Sequence, residues 1–201
     1  MGGPVLALLL AVLAAAPESE TSKETADTHE DGAPFWVPSH VQMQFAGNIG
    51  LLSAGPGWSI LDRRVQLSLL LGHVPEFAGG PLTGVAGKLS LWPFEIDLGE
   101  GFFTRPLELG MLMHYTFGEK YFVETPDRYP DGYYDYPTAL RTGAFAGASV
   151  GNEIDLGFVE RFEVYAEAGL TDLELYVWMD NQNTRSLLST MHLAVGTLLW
   201  F

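Results

Sequence analysis

The chain has 201 residues, no cysteine and a formal net charge of −15. That charge excludes a nucleic-acid binder, which needs clustered Lys and Arg, and the missing thiols exclude disulfides, Cys-based zinc sites and cysteine nucleophiles. Aromatic residues at 12% and 23 glycines, beside only 17% charged residues, fit one β-rich domain with many turns and much apolar surface.

Pro4 to Ala16 ("PVLALLLAVLAAA") is apolar, ends in small residues and is too short to span a bilayer as a helix. It predicts a secretory signal peptide over residues 1–16. No Cys lies near the cut, so no lipid anchor is expected. Glu18 to Pro34 ("ESETSKETADTHEDGAP") has no apolar periodicity and is strongly acidic. Residues 17–38 therefore read as a disordered, solvated leader.

From residue 39 onward the dominant pattern is period two, the signature of strands. Val41, Met43 and Phe45 alternate with His40, Gln42 and Gln44, and Val65, Leu67, Leu69 and Leu71 alternate with Arg64, Gln66, Ser68 and Leu70. Leu107 to Phe117 and Phe162 to Ala168 repeat the pattern. Eight strands are predicted, over 39–46, 49–60, 64–74, 82–92, 105–117, 139–150, 159–179 and 186–201. The seventh changes phase after Leu170, which a bulge near Thr171-Asp172 would explain. Gly47-Asn48 reads as a two-residue hairpin turn. The repeated "EIDLG" at 95–99 and 153–157 marks two equivalent turns on one side. An even strand count puts both termini together and the longest connection, Gly118 to Thr138, at the other end.

The faces decide the class. Each apolar face is nearly unbroken for about ten residues, and the opposite face mixes charges with Gly, Ala and Ser, as a crowded lumen requires. The predicted fold is all-β, an eight-stranded antiparallel up-and-down transmembrane β-barrel over 39–201. The last strand, "TMHLAVGTLLWF", carries the apolar face to Leu199 and Phe201. It resembles the C-terminal signature of bacterial outer-membrane β-barrels, read by the machinery that inserts them. "FAGNIGLLSAGPGW", "LLLGHVPEFAGG", "RYPDGYYDYPTALR" and "AEAGLTDLELYVWMDN" are similar to stretches in a family of small outer-membrane barrels. That resemblance implies an outer-membrane location, contact with lipid and lipopolysaccharide, and the barrel assembly machinery as partner. It implies no activity.

Three groups of residues are candidates for function. On the inward faces lie Arg64, Lys88, Arg141 and Arg161 with Glu108, Glu163 and Glu167. Eight strands enclose only enough room for side chains, so these read as a plug of paired charges. A pore is therefore not expected. The outer loop offers Tyr121, Tyr129, Tyr133, Tyr134 and Tyr136 among acids, a composition suited to binding because a rigid ring buries area at low entropic cost. The same rings would equally serve as an aromatic girdle at a membrane interface. His114 and Thr116 share a strand face, so a base and a hydroxyl could lie together, with the imidazole oriented by Glu108 or by an acid on a neighbouring strand. His114-Tyr115-Thr116 is loosely similar to the His-Tyr-Ser of outer-membrane lipid A deacylases, with Thr replacing Ser and with His114 in inward phase rather than facing lipid. Ser149 is an alternative hydroxyl. The five histidines show no metal spacing, and no cofactor is expected. The sequence reading is thus a non-enzymatic barrel displaying a Tyr-rich loop to an extracellular partner. The alternatives are a lipid-modifying hydrolase and a secreted soluble barrel holding an apolar ligand.

Overall fold

The structure, a computed structural model, describes residues 36–127, 129, 130 and 137–201. The predicted signal, all but the last three residues of the predicted leader, and Tyr133, Tyr134 and Tyr136 lie outside the described residues. Pro38–Phe201 forms one compact unit.

Among the described residues nine strands form it: β1 (His40–Ala46), β2 (Leu52–Ile60), β3 (Val65–Val74), β4 (Leu82–Leu91), β5 (Ile96–Gly99), β6 (Phe102–Phe117), β7 (Leu140–Glu153), β8 (Arg161–Thr171) and β9 (His192–Trp200). All pairings are antiparallel between chain neighbours, except that β1 pairs with β9 and β4 with β6. The ring therefore closes through eight strands, and the four-residue β5 pairs only with the start of β6. Closure leaves no free edge in the wall, so the last strand is tied down along its length, from His40↔Trp200 to Ala46↔Ala194. Following registered partners from His40 through Gly57, Ser68, Lys88, Leu112 and Gly143 reaches β8 at Thr171, whereas going the other way through Trp200 reaches β8 at Arg161, the opposite end of that strand. Such a stagger tilts the strands as barrel closure demands.

The alternation read from the sequence sets the two faces. On β3, Leu67, Leu69 and Leu71 are half or more exposed, at 52%, 50% and 60%, while Gln66, Ser68 and Leu70 are buried. Interior rings are accommodated by glycine. Tyr165 lies against Gly196, Phe145 against Gly110, Phe103 against Gly151 and His40 against Gly57, each pair being registered partners on adjacent strands. A Cβ at any of these glycines would run into the ring, so lumen Gly is a space requirement of interior aromatics.

The start of β1 and the end of β9 lie at one end of the barrel. That end also carries the β2–β3 turn, the β5 hairpin and the β7–β8 turn, whereas the 118–139 connection lies at the opposite end. The two "EIDLG" segments make the same turn, with Gly99 N–H donating to Asp97 Oδ1 at 2.7 Å and Gly157 N–H to Asp155 Oδ1 at 3.4 Å.

Three predicted elements need correction. The seventh strand stops at Thr171, and Asp172–Asp180 is a helix, α1, not a continuation past a bulge. Thr171 caps it. Its hydroxyl accepts from Glu174 N–H at 3.3 Å, and its own N–H donates back to Glu174 Oε2 at 2.7 Å, a reciprocal box that satisfies two orphan groups at once. The eighth strand starts at His192 rather than residue 186. The turn after β1 is longer than two residues, because Ile49 folds inward onto Leu70 and Ala86 instead of starting β2.

Glu174 Oε2 also accepts from Asn48 Nδ2 at 3.3 Å and lies 3.0 Å from His192 Nδ1. Glu174→Ala should destabilise α1 by about 0.5–2 kcal/mol, the ordinary range for losing a cap. Hydrogen exchange should show the loss confined to α1 and its two latched neighbours, with β3 protection unchanged.

Candidate functional site: a filled interior and a loop-end pocket

Reversed polarity organises the interior. Polar and charged side chains occupy as many buried positions as apolar ones. Near the terminal end, Trp92, Tyr165, Leu198 and Trp200 cluster. Arg105 reaches across to Glu163 with both Nε (3.1 Å) and Nη2, while its guanidinium lies 4.4 Å from the Trp92 ring. Ser149 Oγ donates to the same carboxylate at 3.0 Å. Arg161 lies 3.4 Å from Glu163, stacks on Phe103 and pairs with Glu95. At mid-height Lys88 Nζ meets Glu167 at 2.6 Å and Gln44 Oε1 at 3.2 Å, above the Phe145 ring at 4.4 Å. Gln42 donates to Tyr165 OH at 2.7 Å, and Tyr165 donates on to Gln44 at 3.0 Å. These bonds join β1, β4, β6, β7 and β8 across the lumen. Desolvated charges of this kind are tolerable only when paired and hydrogen-bonded.

Of the seven residues expected in that network, the structure brings together Lys88 with Glu167 and Arg161 with Glu163. Glu108 is buried near them, with one carboxylate oxygen lacking a hydrogen-bond partner. Two placements are corrected. Arg64 is exposed, because it belongs to the turn that carries Leu61, Asp62 and Arg63 at φ of 55°, 52° and 64°, before β3 begins. Arg141 sits at the far end of the barrel, where its Nη1 donates to Pro137 O at 2.7 Å. Two members escaped the sequence reading. Arg105 shares parity with the outward Leu107 and Leu109, yet the β6–β7 register shifts between Arg105 and Glu108 and turns it inward. Pro106 was the available signal, since Pro within a strand marks an edge or a bulge. Glu95 lies in a connection, where alternation says nothing.

His114 and Thr116 do share the inward face of β6 and line a pocket of about 640 Å³ at the loop end, with Tyr121 and Arg141. Among the described residues no third group completes a relay: His114 Nε2 is buried without a hydrogen-bond partner, and Ser149 is bound to Glu163 elsewhere in the lumen. No described carboxylate therefore orients the His114 ring as a hydrolytic base. Tyr129 packs on Phe122 with ring centroids 5.9 Å apart. Leu199 pairs with Val41 and Phe162. Phe201 follows β9, with its N–H donating to Ser39 O at 3.1 Å and its ring 6.4 Å from Phe158. Among the described residues no cluster of His, Asp and Glu has metal-holding geometry.

The fold and interior define a closed eight-stranded antiparallel barrel with a polar, packed lumen and an apolar outer wall. Comparison with protein-family models, curated proteins and solved structures yields no match.

Proposed function

We propose that the protein is an integral β-barrel of a bacterial outer membrane. In this reading the chain is exported through the periplasm, inserted by the barrel assembly machinery and surrounded by lipid and lipopolysaccharide. Its filled lumen makes it a non-enzymatic scaffold, not a pore, and its 118–138 loop is presented outside the cell for partner binding or surface stability. The observation that carries the reading is the reversal of polarity. A soluble barrel holding an apolar ligand would put Leu67, Leu69, Leu71, Met113 and Val195 inside and the Lys88–Glu167 pair outside; here the opposite holds. Lipid-facing walls also require every backbone group to be satisfied within the wall, which a closed ring provides. The ten residues of β3, rising about 3.3 Å each and tilted by about 40°, span about 25 Å, the height of the apolar band in such barrels.

The test is fractionation and sidedness. The protein should stay in the membrane fraction without detergent and migrate faster in unheated than in boiled SDS samples. Protease added to intact cells should cut within residues 118–138 and spare the 92–101 connection. Recovery of folded protein in the soluble fraction would overturn the membrane reading, and cleavage of 92–101 on intact cells would reverse the orientation.

A further inference from the structure

The pocket at the loop end is blind. Ile49, which lines it, packs on Leu70 and Ala86 beneath, and the Lys88–Glu167 pair fills the lumen at mid-height. Its volume of about 640 Å³ falls within the range of small-molecule sites, which combine apolar walls with a few convergent polar groups. The walls come from Ile49, Val74, Leu82 and the α1 residue Leu173, and the polar side from His114, Thr116 and Arg141. The His114 ring occupies the space left by the missing side chain of Gly84.

Charge singles out the ligand. Each fully buried cation among the described residues lies in tight contact with a glutamate: Lys88 with Glu167, Arg105 with Glu163, Arg161 with Glu95. Arg141 is the only Lys or Arg among the pocket's described lining residues, and the nearest described carboxylate, Asp172, is 3.8 Å away and itself partly exposed. Its Nη1 donates to Pro137 O at 2.7 Å, while no described residue accepts from Nε or Nη2, and that edge is matched to a planar carboxylate, which can accept two parallel N–H bonds. We infer that this pocket binds a small organic carboxylate with an apolar body, its acid group at Arg141 and its body against Ile49 and Leu173. The pocket belongs to the fold and does not depend on where the barrel resides.

The probe is 4-phenylbutyrate, titrated into the purified full chain in detergent with empty micelles as blank and read by ligand-observed NMR. The neutral isostere 4-phenylbutyramide is titrated in parallel. Saturable binding of the acid, at least tenfold tighter than the amide, is expected. Arg141→Gln should weaken the acid at least tenfold and leave the amide unchanged. Leu173→Trp, which fills the apolar side without touching Arg141, should abolish binding of both while heat-modifiable migration shows the barrel intact. Lack of saturable binding, equal binding of acid and amide, or unchanged affinity in Arg141→Gln would each overturn the assignment.

Discussion

Glu163→Ala should lower the stability of the barrel by about 3–5 kcal/mol, the usual cost of removing one partner from a buried ion pair. Its carboxylate is fully buried and takes Arg105 through two nitrogens, Arg161 at 3.4 Å and the Ser149 hydroxyl. Without it two guanidiniums share the lumen, with only the partly exposed Glu95 in reach of both. Desolvation rather than lost attraction sets the size of the effect. The double variant Glu163→Leu with Arg105→Met should accordingly recover much of the loss, since Arg161 keeps Glu95 and the apolar replacements pack beside Trp92 and Trp200. Urea unfolding in lipid vesicles measures both. A single variant as stable as wild type would mean that water screens these charges, and the packed-lumen description would fail.

Leu69→Arg probes the other face. Leu69 lies midway along β3, half exposed on the outer wall. An Arg at the midplane of a bilayer costs about 2–4 kcal/mol, whereas a surface substitution in water is usually within about 0.5 kcal/mol. The same change at Asn183, in the exposed segment after α1, should be neutral. Unfolding in vesicles should therefore separate the two variants by at least about 2 kcal/mol. Indistinguishable stabilities would place the wall in water and remove the support for a membrane.

Much of the fold was legible because strand periodicity is local. The alternation through Val65 to Leu71 and Leu107 to Phe117 identifies which residues share a face without any knowledge of neighbours. The errors fall where a local rule changes within a segment. "DLELYVWMD" has apolar residues all round and leaves none of them buried as α1, so neither a helical nor a strand period stands out. The Thr171-x-x-Glu174 box was its one clear signal. Arg105 was lost in the same way, because a single inserted residue in β6 reverses the parity of everything before it.

The candidate site divides along the same line. Sequence alone determined that a polar face and an apolar face run the length of nearly every strand, that eight strands make the wall, and that Lys88, Glu108, Glu163 and Glu167 belong inside. Those follow from composition and period two, which survive any choice of register. Only the tertiary structure decided who pairs with whom. Arg105 rather than Arg64 meets Glu163, Glu95 reaches in from a connection, and Arg141 leaves the lumen network for a pocket that Leu173 of α1 helps to line. Partner choice depends on strand stagger and closure, which bring residues from β1, β4, β6 and β8 to one height, and a stagger is a relation between strands that no single strand records.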